Sequence, residues 1–276
     1  MNNILTEILK DVLEIAKQTD GIIGAWNFGS VKNHMADEYS DRDVVFLVEG
    51  ERFREIEQIL NPMLQKVCNK VLLCFEEGFN CDAIINNGYL LKKDSAIVQF
   101  DIFLLNGDKL DDFMCRLHYI DLSEEDILFD YGGVVKELCS KAPEGSYWQD
   151  DIHKLVQNYW YHFHMTAKYI LRRDYFKLYH VVHILYDFHA SLLLTAYDKI
   201  RWGGPENKLH FIPEQLQSHL KLYQCTEDFA RNQKYLYQAA EWFVEDVEEI
   251  CKEQGINNLQ MDQEVLEYWM SLVESK

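Results

Sequence analysis

Leucine and isoleucine recur at helical spacing through residues 3–18, with Asp11 and Glu14 among them, and the pattern stops near Asp20-Gly21. Apolar residues three and four apart share one face of a helix, so this stretch predicts an amphipathic helix. Its internal acids break the pattern of a secretory signal. GIIGAWNFGS then reads as a short strand running into a turn at Gly29-Ser30, and a polar loop, VKNHMADEYSDRD, leads into the apolar run VVFLV. A second helix is expected over 51–66. Segments rich in Val, Ile, Leu and Phe around 70–76, 81–91 and 95–105 suggest consecutive strands of one sheet.

From about residue 150 the pattern changes. HKLVQNYWYHFHMTAKYILRR, DYFKLYHVVHILYDFHASLLLTAYDKI and residues 226–254 are long, aromatic and helical in period, interrupted by the loop RWGGPENK. The turn-rich KAPEGS near residues 140–150 marks the expected boundary. The expected architecture is α+β: a domain with a mixed sheet over 1–145, then an α-helical bundle over 146–276, with the active site in the cleft between them.

Composition narrows the class. With 276 residues, 48% hydrophobic and 26% charged, the chain has enough apolar surface to offset the entropy of ordering it, which excludes disorder. No apolar run approaches the ~20 residues of a membrane span, so a cytoplasmic protein is expected. The seven cysteines, at 68, 74, 81, 115, 139, 225 and 251, form no CxxC pair and show no metal-ligand rhythm. They read as reduced, mostly buried thiols.

Net charge is −19, and acid is concentrated in the first half: residues 1–150 hold 14 Lys and Arg against 28 Asp and Glu, residues 151–276 hold 13 against 18. A nucleic-acid partner would need a basic face, and none is visible, so none is expected. A negative field favours cationic partners such as divalent metals or a cationic small molecule. It also serves solubility alone.

The chemistry concentrates around Phe28-Gly29-Ser30, ten further residues, and Asp41-Arg42-Asp43 before Val44–Val48. Asp41 and Asp43 at the start of a strand share one face, ~6–7 Å apart along the backbone. Two hard carboxylates on one face can hold Mg²⁺ and leave positions for substrate phosphates. Gly29 permits close backbone approach, and Ser30 offers a hydroxyl and an N–H to the outer phosphates of a nucleotide. Asp101 lies inside the apolar run Ala96–Leu105. A buried carboxylate without a partner costs several kcal/mol, so it calls for a metal, a cation or a raised pKa. On a strand beside Asp41 and Asp43 it would complete a metal-bound cluster and could act as general base toward a substrate hydroxyl.

These residues resemble the DNA polymerase beta-type nucleotidyltransferase superfamily, whose pattern is Gly-Ser, a spacer, Asp-x-Asp and a later strand Asp. More narrowly, FGSVKNHMADEYSDRDVVFLV is similar to the aminoglycoside 6-adenylyltransferases and a group of lincosamide nucleotidyltransferases. Their layout, a nucleotidyltransferase domain followed by a helical bundle, is the one expected here, and ILFDYGGVV (127–135) matches a Leu-Phe-Asp-x-x-Gly segment after the core sheet. The resemblance implies transfer of a nucleoside monophosphate, AMP from ATP, to a hydroxyl of a small molecule, with pyrophosphate released. It implies Mg²⁺ held by Asp41, Asp43 and Asp101, and a triphosphate held by Gly29 and Ser30. An aminoglycoside or lincosamide-type antibiotic leads as acceptor.

Two rival classes stay open: an antitoxin-like nucleotidyltransferase acting on a protein or nucleic acid, and a nucleotide-binding module without turnover. The oligomeric state is also open, a homodimer included. In the helical half, His162 and His164 are two apart and make a poor metal pair, whereas His180 and His183 share a face without a third ligand. Packed histidines are the better reading. Arg172-Arg173-Asp174 and residues Lys199–Lys208 are that half's main cation clusters, suited either to phosphate or to a solvated turn.

Overall fold

Helix α1 (Asn3–Lys17) turns Leu5, Ile8, Leu9, Val12 and Ala16 inward, the stripe its spacing predicts. The computed structural model describes residues 3–141, 151–197, 204–256 and 263–274. The chain divides into two compact units, Met1–Gly145 and Ser146–Lys276. Residues 142–146 of the KAPEGS segment and 199–203 lie outside the described residues.

In the first unit α1 is followed by β1 (Ile22–Asn27), α2 (Gly29–Lys32), β2 (Arg42–Val48), α3 (Phe53–Val67), β3 (Lys70–Glu76), β4 (Ile84–Lys93), β5 (Ala96–Asn106), α4 (Phe113–Leu117), β6 (Ile127–Asp130) and α5 (Val134–Lys141). The strands form one sheet in the order β3-β4-β5-β2-β1-β6. Among the described residues only β2 and β5 run parallel; the other pairs are antiparallel, so the sheet is mixed as expected. Gly29-Ser30 opens a one-turn helix instead of a plain turn.

Period-two alternation sorts the two faces. Val44, Phe46 and Val48 of β2 join Val98, Phe100, Ile102 and Leu104 of β5 in one apolar cluster with the buried stripes of α1 and α3. Asp43 and Asp101 therefore stand on the opposite face. Farther along that face the rings of Phe28, Phe103 and His118 pack at centroid distances of 4.9–5.1 Å. The cover is aromatic where the strands are apolar and ends where the acids begin.

The second unit is helical: α6 (Ile152–Leu171), α7 (Tyr175–Tyr197), α8 (Glu214–Leu220), α9 (Phe229–Gln254) and α10 (Gln263–Glu274). Its aromatic residues form the core: Tyr159 stacks on Phe243 at 3.5 Å, and buried Trp269 donates from Nε1 to Thr166 Oγ1 at 2.8 Å. Asp151 and Asp228 accept backbone N–H bonds at the starts of α6 and α9. Gly255 closes α9 with φ +68°, a backbone shape that disfavours side chains. Helices α8 and α10 were not expected, being too short for a clear period. No helix among the described residues is long and apolar enough to cross a membrane.

The thiols depart from expectation. Only Cys115 and Cys251 are buried, while Cys74 and Cys81 are exposed. Cys74 lies on β3, which forms an edge of the sheet and has little above it.

Candidate active site

The parallel pairing of β2 with β5 brings Asp43 level with Asp101. Parallel partners present side chains to the same face, so residues nearly sixty apart in sequence become neighbours. Asp41 lies one residue ahead of β2. The register continues outward from Asp101 to Gly88 on β4 and Phe75 on β3, making one row across the sheet.

The three carboxylates feel one another. Burial, then repulsion from Asp41 and Asp101, pushes the Asp43 carboxyl up to about 8, with Arg42 opposing. Burial also pushes Asp101 up to about 6, to which Asp41 and Glu77 add, while a hydrogen bond from Gln99 pulls the other way. Asp41 is raised by burial. Three acids whose charges are mutually unfavourable in one place are what a site for an opposite charge requires.

Backbone geometry admits this crowding. Gly29 has φ +61°, and a Cβ added there would overlap Asp43 Oδ2. A Cβ on Gly88 would stand 2.7 Å from Asp101 Oδ1. Two glycines thus leave the room that two carboxylates occupy. Ser30 Oγ and Asp101 Oδ1 are both buried without a hydrogen-bond partner among the described residues.

Among the described residues no group of three His, Cys, Asp or Glu side chains is arranged to hold a metal ion. The carboxylates have other neighbours instead: Gln99 Nε2 donates to Asp101 Oδ2 at 2.8 Å, and the Asp43 carboxylate lies over Gly29. The donor chemistry nevertheless fits a hard divalent cation, since all three side chains offer carboxylate oxygen and Asp101 Oδ1 has no donor.

Sequence reasoning passed over Arg42. Its side chain is buried, donates to Asn27 Oδ1, and is the charge that offsets Asp43. The intervening position of an Asp-x-Asp run faces away from the acids, so nothing in the spacing marks it. His118, also passed over, donates from Nδ1 to the Met114 carbonyl at 2.8 Å, and burial drives its pKa down to about 4.

Several candidates of the helical half have neighbours of their own. His183 lies 3.8 Å from Asp187, and His162 Nδ1 bonds the Asn158 carbonyl at 2.8 Å. Arg173 sits 5.4 Å from the Phe229 ring, and Asp174 pairs with Lys177 at 3.3 Å. A network that spacing does not reveal ties α7, α8 and α9 together: Asp246 Oδ2 accepts from His189 Nε2 and from His219 Nδ1, each at 2.8 Å.

No protein-family model matches the chain, and no curated protein does. Among solved structures, the chain is similar to an aminoglycoside 6-adenyltransferase from Bacillus subtilis, with 11% identity, 97% of each chain covered and a TM-score of 0.45. It is also similar to a nucleotidyltransferase-like protein from Exiguobacterium sibiricum 255-15, with 12% identity, 98% of this chain and 88% of that one covered, and a TM-score of 0.33. Likeness at this level leaves the chemistry to be read from the side chains themselves.

Proposed function

We propose that residues 1–145 form a magnesium-dependent nucleotidyltransferase domain that moves AMP from ATP to a hydroxyl of a small molecule, with an aminoglycoside or lincosamide-type antibiotic leading as acceptor. The observation that carries this reading is the register partnership of Asp43 with Asp101, with Asp41 close enough to raise both. Three mutually repelling carboxylates beside an open glycine backbone and an unsatisfied serine hydroxyl suit a metal–triphosphate complex better than any apolar or neutral ligand.

Asp41, Asp43 and Asp101 would hold Mg²⁺, which when bound supplies positive charge against the triphosphate. Gly29 keeps a side chain out of the space beside Asp43, and Ser30 offers its partnerless Oγ to the phosphate tail. Asp101 takes the proton of the acceptor hydroxyl. The acceptor oxygen then bonds to the α-phosphorus as the bond to the pyrophosphate oxygen breaks. Burial lifts the Asp101 carboxyl to about 6 in the absence of a cation, which favours its taking up a proton.

The test is a screen of aminoglycosides and lincosamides with each nucleoside triphosphate, read by pyrophosphate release and product mass. Calorimetry with and without magnesium accompanies it. Triphosphate should bind well only with the metal, because the acidic first half repels a bare polyanion. Equal affinity in EDTA and in magnesium would overturn the reading.

A further inference from the structure

Beside Asp101, wholly within the first unit, the sheet carries a cavity of about 270 Å³. Leu73, Phe75 and Leu90 form its apolar wall, and they are 51%, 56% and 36% exposed, a costly display for a sheet surface with nothing to bind. The register explains how they meet: Leu73 pairs with Leu90, and Phe75 pairs with Gly88 in the same row as Asp101. Gly88 has no side chain, so the space between Phe75 and the carboxylate stays open.

The lining holds the donors of Tyr89 and Gln99, whose Nε2 is turned to Asp101 Oδ2 at 2.8 Å, but its unsatisfied atoms are acceptors. Asn86 Oδ1 and Asp101 Oδ1 are both buried acceptors without a donor among the described residues, and Glu77 adds a negative charge. The backbone of Asn86 is held on both sides by the Asn80 amide, at 2.7 and 3.0 Å, so its position is built. A cavity with an apolar wall, two orphan acceptors and an acid asks for a ligand carrying N–H or O–H donors, positive charge and a short apolar group.

We infer that this cavity seats the acceptor and selects a hydroxylated amine bearing an apolar substituent, with the substituent against Leu73, Phe75 and Leu90 and the donors toward Asn86 and Asp101. The inference rests on the nucleotidyltransferase reading and narrows its substrate class. A polyhydroxylated polycation without an apolar part would leave the wall in water, so it is the poorer occupant.

The experiment uses the full chain and three matched probes: N-hexylglucamine, glucamine without the alkyl group, and hexyl glucoside without the amine. Each is titrated calorimetrically with magnesium and ATP present and again without nucleotide. N-hexylglucamine should bind at least ten-fold more tightly than either comparison compound. Phe75→Ser and Leu73→Ser, at exposed positions the fold tolerates, should each remove most of that advantage while melting temperature holds. Equal affinity for glucamine and N-hexylglucamine overturns the inference, as does tight binding that neither variant weakens. A wild-type dimer that Phe75→Ser converts to monomer in sedimentation also overturns it, since a second copy would then own the wall. Magnesium-dependent ATP binding in the same titrations reports separately on the underlying reading. If that binding is present while the probes show no preference, only the acceptor inference falls.

Discussion

The carboxylate of Asp43 occupies the place where residue 29 would carry a side chain. Gly29 has φ +61°, and a Cβ built on it would overlap Asp43 Oδ2. The first residue of α2 and the start of strand β2 are thereby locked to one another: glycine is required both by its own backbone and by the acid opposite.

Gly29→Ala should therefore act on the site more than on the fold. The left-handed backbone costs an alanine roughly 1–2 kcal/mol, and Asp43 must move aside. Displacements of about 1 Å at reacting groups cost on the order of 100-fold in turnover. Steady-state kinetics and a melting curve on the same variant test this. A kcat within a few-fold of wild type would show that Asp43 tolerates the displacement.

Asp43→Asn should abolish turnover and raise the melting temperature in EDTA by a few degrees. Burial, then repulsion from Asp41 and Asp101, makes a charge on the Asp43 carboxyl costly, and the amide keeps its shape with no charge to lose. Relief of about 1 kcal/mol corresponds to roughly 2–4 °C for a chain this long. Asp41→Ala should likewise abolish turnover with the fold intact. Wild-type rates in either variant would remove the metal assignment.

Asp101→Asn separates chemistry from binding. Loss of a positioned base lowers kcat by roughly two to four orders of magnitude, while ATP affinity changes far less. If instead the variant melts early with nearly normal kcat, Asp101 is a structural acid and leaves the catalytic set.

His118 predicts an acid limb in stability. Its pKa falls from 6.5 to about 4 on folding because it is buried between Phe28 and Phe103. Below pH 6.5 the unfolded chain binds a proton that the folded chain refuses. The stability from keeping this imidazole neutral is thus complete above 6.5 and is lost as pH falls toward 4. At ~1.4 kcal/mol per pH unit the loss approaches about 3 kcal/mol. His118→Phe should flatten this part of the denaturation-versus-pH profile, and an unchanged slope would assign it elsewhere.

In the helical unit, Asp246→Ala should cost roughly 2–5 kcal/mol, because it strands the ring N–H groups of His189 and His219 in a buried site. Urea denaturation measures it. A loss below 1 kcal/mol would mean that water replaces the carboxylate.

By itself the sequence determined the local elements and the chemistry on offer. Helical spacing marked α1, α3, α6, α7 and α9, because burying one stripe imposes a 3.6-residue period whatever the partner. Alternating and continuous apolar runs marked the strands, and Gly29-Ser30, Asp41, Asp43 and Asp101 stood out as polar residues in places where apolar ones would cost less. What no local pattern contains is register. That Asp101 lies level with Asp43, that Gly88 opens the floor beside it, and that Leu73 and Phe75 wall the cavity follow from pairings between β2, β5, β4 and β3. Arg42 and the His189–Asp246–His219 network were invisible for the same reason. Their partners are distant in sequence, and a buried charge shows its purpose only when the tertiary fold brings the opposite group to it.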